Sequence, residues 1–150
     1  MPQSLAKIYI HAIFSTRNRE PRLADAWREE LFRVMGGLIN QTGCQSLIVG
    51  GIADHIHMLF LLGRTITIAG MIGQTKSSSS AWINETHGIL TAFHWQSGYA
   101  AFSVSDSNVE AVREYIRLQP EHHVRQSFQE ELREWLTRYG IEWDERYVWD

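Results

Sequence analysis

The stretch DHIHMLFLL, residues 54–62, limits the fold more than any other part of the chain. It is too apolar to lie open to water, and at nine residues it falls far short of the roughly 20 needed to cross a bilayer. A buried strand fits its length. Successive strand side chains point to opposite faces, so His55 and His57 share one face while Ile56, Met58 and Phe60 share the other. Such a strand sets one face in a core and holds two imidazoles side by side on the second. Two neutral imidazoles are two-thirds of a catalytic metal site, and a third ligand is what makes that reading specific. The plainer alternative is a pair of core-edge histidines satisfied by backbone or water.

Composition narrows the class. With 150 residues and 44% hydrophobic side chains, the chain can bury the core of one ordinary domain, and residues 1–150 read as a single domain. Cys44 is the only cysteine, which excludes an intrachain disulfide and a cysteine-based zinc site within one chain. The sequence shows neither a bilayer-length apolar run nor a secretory signal, so the expected location is cytoplasmic. A formal charge of −3 argues against a protein that coats nucleic acid by charge alone. The balance is uneven, however: residues 1–100 carry eight Lys and Arg against six Asp and Glu, and residues 101–150 carry six against eleven. A local basic patch is compatible with that distribution.

The remaining elements follow from periodicity and punctuation. AKIYIHAIFST (residues 6–16) is rich in β-branched and aromatic residues and reads as a first strand ending in the basic turn STRNREPR. Trp27, Leu31, Val34, Met35 and Leu38 have helical spacing from Asp25, with Gly43 just past the end. QSLIVG (45–50) and 54–62 form two strands joined by residues 51–53, residues 66–85 a second helix with a small-residue face at Ser77–Ser80, and FHWQSGYAAFSVS (93–105) a further strand kinked at Gly98. Ser107 with Glu110 predicts a capped helix running through Gln119, where Pro120 discourages continuation. Ser127 with Glu130 predicts another, whose apolar stripe is Phe128, Leu132, Trp135, Leu136 and Tyr139, with Gly140 at its end. The aromatic, acidic end IEWDERYVWD is expected to pack down. The order βαββαβ followed by helices predicts an α+β, ferredoxin-like (RRM-like) antiparallel sheet with helices on one face plus C-terminal helices. That fold hosts many functions and decides none.

Candidates to complete the histidine pair lie in VREYIRLQPEHH, residues 112–123. Tyr115 and Gln119 are four apart and share one helical face, beside a buried stripe of Val109, Val112 and Ile116. H-x-H on a strand, inside ADHIHML, followed by a helical Y-x-x-x-Q resembles the single-tyrosine HUH transposases of the insertion sequence 200/605 group and their REP-associated relatives. HAIFSTRNRE, TKSSSS and GYAAFSVS fall in the order expected of that family, so the resemblance covers nearly the whole chain. It implies that His55, His57 and Gln119 bind one divalent cation, Mg²⁺ or Mn²⁺, and that Tyr115 is the nucleophile. It also implies cleavage and rejoining of single-stranded DNA at hairpin-marked ends through a 5′-phosphotyrosine. A further implication is a homodimer in which one subunit's tyrosine helix can serve the other's histidines; Arg17, Arg19 and Arg22 in the first turn, with Lys76, are the candidates for DNA contact. Because Pro120 places Gln119 at a helix end, His122 and His123 compete with it as ligands. His11, on the first strand, is either part of the site's lining or a satisfied core histidine.

Other readings fit less well. GMIGQTKS (70–77) has Thr75 where a phosphate-binding loop needs its second glycine, and it lies within a helical stretch. An RNA-recognition module on the same fold would need aromatic signatures that the strands lack. A metal-dependent hydrolase would need an Asp or Glu ligand, and alternation points Asp54 away from the pair. A non-catalytic, hairpin-binding regulator remains the alternative to a transposase.

Overall fold

Alternation along the strands decides which face of the sheet each layer of helices must cover. The computed structural model describes residues 3–88 and 91–150. Strands β1 (Tyr9–Ser15), β2 (Gln45–Gly51), β3 (His55–Leu61) and β4 (Ala100–Val104) form one antiparallel sheet in the order β2-β3-β1-β4. Helix α1 (Asp25–Gln41) links β1 to β2, and α2 (Ile68–His87) links β3 to β4. This is the predicted α+β, ferredoxin-like arrangement.

One face of the sheet carries Ile10, Ala12, Phe14, Ile56, Met58 and Phe60, packed against Leu31, Met35 and Ile39 of α1 and Met71, Ile72 and Ile83 of α2. Fully burying each such side chain contributes about 1.5–3 kcal/mol. The C-terminal helices take the opposite face. Here α3 (Val109–Arg117) sets Val109 and Ile116 against Leu59 and Val104. Helix α5 (Phe128–Arg138) sets Phe128, Leu132, Trp135 and Leu136 against Ile13 and Phe102. His11, His55 and His57 are therefore enclosed between the sheet and these helices, all completely buried.

Glycine at position 50 makes this closeness achievable. Gly50 pairs with His57 across β2 and β3, and a Cβ there would lie 2.8 Å from Ile116 Cγ2 and 2.9 Å from the Ile116 carbonyl oxygen. Without a side chain at 50, α3 settles directly onto the sheet beside the histidines.

Three local expectations are corrected. The strand predicted over 93–105 is regular only at Ala100–Val104. Before it, the Lys76 ammonium donates to the carbonyls of Gln96 (2.9 Å) and Gly98 (2.6 Å), Trp95 donates to Ser79 (3.0 Å), and Ser15 N–H donates to Gln96 Oε1 (2.7 Å). These side-chain bonds replace a strand ladder, leaving the single bridge Thr16–Trp95. Ser107 does not cap a helix; its hydroxyl meets that of Ser105 at 3.2 Å, and a short turn at Asp106–Asn108 precedes α3. The helix predicted through Gln119 ends at Arg117, and a one-turn helix α4 (Gln119–His122) restarts after Leu118. Pro120 has no N–H to continue the α3 ladder and is well suited to the first turn of α4.

The Ser127–Glu130 capping box forms as expected, and the C-terminal segment is clamped. The Glu145 carboxylate accepts from Arg133 (2.8 and 3.1 Å) and from the indole N–H groups of Trp143 (3.0 Å) and Trp149 (2.9 Å). Arg133 and Arg19 both lie over the Trp149 ring, and Gln96 Nε2 donates to the Asp150 carbonyl at 3.1 Å.

Two outcomes follow from this packing. Gly50→Val forces α3 off the sheet and is expected to cost about 1–3 kcal/mol, measured by chemical denaturation; unchanged stability would mean that α3 does not depend on this contact. Arg133 and the two indoles hold the Glu145 carboxyl down at about 2, against an ordinary 4.5. A lowered carboxyl contributes stability above its ordinary value and loses it as pH falls through about 2, so tryptophan fluorescence should report release of the clamp across that window. In Glu145→Gln the released signal is expected already at neutral pH.

Candidate active site

His55 and His57 leave β3 on the face covered by α3 and α5, and a carboxylate from α5 meets them there. Glu131, 1% exposed, places Oε1 3.1 Å from His57 Nε2, 3.3 Å from His55 Nε2 and 3.1 Å from His123 Nε2. Its other oxygen, Oε2, accepts from Gln119 Nε2 at 2.9 Å and from the Tyr115 hydroxyl. Donation of the Gln119 amide N–H to Glu131 turns its carbonyl oxygen toward the histidines, 3.1 Å from His55 Nε2 and 2.9 Å from His123 Nε2. Tyr115, Gln119, His55 and His57 thus come together within a single chain. A cavity of about 350 Å³, also lined by Asn108, Trp135 and Arg138, opens beside Tyr115.

Each strand histidine is held from behind through its other nitrogen. Asp54 Oδ1 lies 2.7 Å from His55 Nδ1, and His11 Nε2 lies 2.8 Å from His57 Nδ1. Strand alternation points Asp54 away from the pair, but Asp54 precedes β3, where its carboxylate can turn back onto the ring of its neighbour. His11 pairs with Leu59 across β1 and β3, and this register sets it diagonally beside His57 on the same face. Both arrangements leave Nε2 free to face the centre, as outer-sphere partners of metal-ligating histidines do.

The donors fit a divalent cation. Ligand atoms of His55, His57, His123 and Glu131 all lie within 4.8 Å of one another. Atoms bound about 2.1 Å from one cation stand about 3.0 Å apart at right angles and about 3.4 Å apart at tetrahedral angles. The 3.1–3.3 Å contacts of Glu131 Oε1 fall in that range. This His/Glu group could hold a metal ion.

The charges in the group depend on one another. Burial alone would raise the Glu131 carboxyl, but His57, His123 and His55 hold it well below the usual carboxylate range. Burial would push the His55 imidazole down, yet hydrogen bonds that it donates to the Asp54 and Glu131 carboxylates, with their negative charge, raise it to about 9. For His57, burial outweighs Glu131 and the value is lowered. Burial and the neighbouring negative charge of Glu131 hold the Tyr115 phenol well above its ordinary value.

Of the two histidines competing with Gln119, His123 enters the cluster, whereas His122 stacks on the Tyr115 ring at 4.6 Å. Glu131 is the residue that sequence reasoning missed. Its signal is positional: three residues after Phe128 and four before Trp135, it is a carboxylate set into the apolar stripe of α5. The four cations expected to contact DNA do not gather in this cluster. Arg17 is exposed, and Arg22 donates to the Thr91 and Ala92 carbonyls. Arg19 lies over Trp149, and the Lys76 ammonium is taken by two carbonyls, its value lowered by burial to about 8.

No curated protein matches the chain. A solved structure of a candidate transposase from Deinococcus radiodurans R1 shares 20% identity over 77% of this chain and 93% of its own, with a TM-score of 0.61. A REP-associated tyrosine transposase, solved bound to a REP hairpin, shares 14% identity over 81% of this chain and 72% of its own, with a TM-score of 0.60. At these identities the two structures establish a shared fold. Among the described residues no helix is long and apolar enough to cross a membrane. The family model "Transposase IS200 like" matches residues 4–119, which span both strand histidines, Tyr115 and Gln119, and the chain therefore belongs to the IS200-like transposase family.

Proposed function

We propose that the chain cleaves and rejoins single-stranded DNA at hairpin-marked ends, with Tyr115 as nucleophile and a divalent cation held by His55, His57 and Gln119. The observation that carries this reading is the convergence of Tyr115 and Gln119 with the histidine pair around one buried carboxylate. When bound, the cation supplies Lewis-acid activation of the scissile phosphate and offsets the negative charge of Glu131. Imidazole donors suit Mn²⁺ better than Mg²⁺.

The chain's own groups do the rest. Tyr115 Oη attacks the phosphorus, forming the tyrosine–phosphate bond as the bond to the neighbouring nucleotide's 3′ oxygen breaks, and the proton that the phenol gives up ends on that oxygen, which leaves as a 3′-hydroxyl. Glu131 Oε2, which already accepts the Tyr115 hydroxyl, is positioned to receive the phenolic proton. A later attack by another 3′-hydroxyl on the phosphotyrosine rejoins DNA with no outside energy source. Arg17, with Arg19, Arg22 and Lys76 on the same side of the reading, is assigned to DNA contact; Lys76 would act through the 96–98 segment that it holds. The homodimer implied by the family is retained, each subunit's Tyr115 serving its own histidines. The hairpin partner of the REP-associated relative makes hairpin-ended single strands the substrates to try first.

Incubation with such DNA and Mn²⁺ is expected to give a covalent protein–DNA adduct with wild type and none with Tyr115→Phe, resolved on denaturing gels. Equal behaviour of the two would remove the nucleophile assignment, and hairpin binding without any adduct would assign a non-catalytic regulator instead. Metal loading is expected to depend on pH. His55 is held near 9 as an imidazolium and must release a proton to ligate, so Mn²⁺ affinity rises by up to about tenfold per unit between about pH 6.5 and 8.5. Titration calorimetry in buffers of different ionisation enthalpy measures the protons released; pH-independent affinity would contradict the assignment of His55.

A further inference from the structure

The family match ends at Gln119, yet the residue with the most contacts to the candidate centre lies beyond it, on α5. Glu131 Oε1 stands 3.1–3.3 Å from three imidazole nitrogens, those of His55, His57 and His123. These are separations expected between neighbouring ligands of one cation with bonds of about 2.1 Å. Its Oε2 accepts from the Tyr115 hydroxyl and from the Gln119 amide. One carboxylate therefore faces both the candidate metal position and the candidate nucleophile, using a different oxygen for each.

We propose that Glu131 is the anionic ligand of the metal centre and that its second oxygen fixes Tyr115 against the cation, with His123 as an additional ligand. This rests on the metal-dependent reading above and extends it. The ligand set becomes three imidazoles, one amide oxygen and one carboxylate, and the binding determinant with the full negative charge lies outside the matched region. Glu131 would also organise Gln119. An amide that donates Nε2–H to the carboxylate must present Oε1 to the centre, so loss of the carboxylate removes one ligand and releases the orientation of a second. Helix α5 is held by its apolar stripe and by the Glu145 clamp. The C-terminal segment is thereby part of the metal site as well as a cover for the sheet.

The test is Mn²⁺ titration calorimetry on wild type, Glu131→Gln, His57→Ala and Tyr115→Phe, with metal-free folding checked by circular dichroism. Glu131→Gln preserves shape and is expected to weaken Mn²⁺ binding by at least about tenfold, the loss that even an outer-sphere partner of a metal ligand produces. His57→Ala is expected to lose binding, and Tyr115→Phe to keep it within about twofold, because its hydroxyl reaches the centre only through Glu131. If Glu131→Gln binds Mn²⁺ as wild type does while His57→Ala fails, the carboxylate only neutralises the histidines; the inference is then wrong and the metal reading survives. If His57→Ala binds as wild type does, the metal reading and the inference both fall. Should Glu131→Gln not fold, infrared difference spectra of the wild type with and without Mn²⁺ decide the matter. A shift of carboxylate stretching bands is expected on loading, and unchanged bands would overturn the proposal.

Discussion

A carboxylate sealed from water must find its donors in the protein, and the arrangement of the sheet's second face follows from meeting that need for Glu131. The idealised cost of burying such an ion far exceeds what any single hydrogen bond returns, and removing one partner of a buried ion pair typically costs about 3–5 kcal/mol. Glu131 is surrounded by His55, His57, His123, Gln119 and Tyr115. Two strand histidines can be wholly buried because an acid faces them, and the acid can be buried because they do. Helix α5 docks against the sheet in a position where both conditions are met. Its apolar stripe, the capping box at Ser127 and the clamp around Glu145 all act to keep it there.

The centre draws on both halves of the chain. Strand β3 supplies the two histidines, α3 the tyrosine and the start of α4 the glutamine, all within the segment that marks the family. His123 and Glu131 come from the remainder. Behind the two strand histidines, Asp54 and His11 hold the imidazole rings by their far nitrogens. A buried site of this kind is specified by its outer partners as much as by the groups that face the reaction.

Much of this was legible in the residues. Alternation in DHIHMLF placed His55 and His57 on one face, and periodicity gave α1, α2 and α5 nearly as they are. The pairing of Tyr115 with Gln119 was also legible, though the single helix invoked for it was not what forms: Leu118 interrupts it, and the two side chains converge nonetheless. What escaped was long-range. Nothing local announces that Lys76 will capture two carbonyls and turn 93–98 out of a strand, or that Asp54 will fold back onto its neighbour. Glu131 sat among apolar residues at helical spacing, and a charged group inside a buried stripe is a strong local hint. Which histidines it would answer depended on the sheet register and on how α5 docks.

The interruption at Leu118 has a mechanical side. Tyr115 rides on α3, while Gln119 and His123 belong to the short turn beyond, and between them the ladder of backbone bonds lacks the N–H that Pro120 cannot supply. A continuous helix would transmit any twist of α3 to every side chain along it. Here the ladder is broken, and Tyr115 and Gln119 are tied to one another instead through the single carboxylate to which both donate, Glu131.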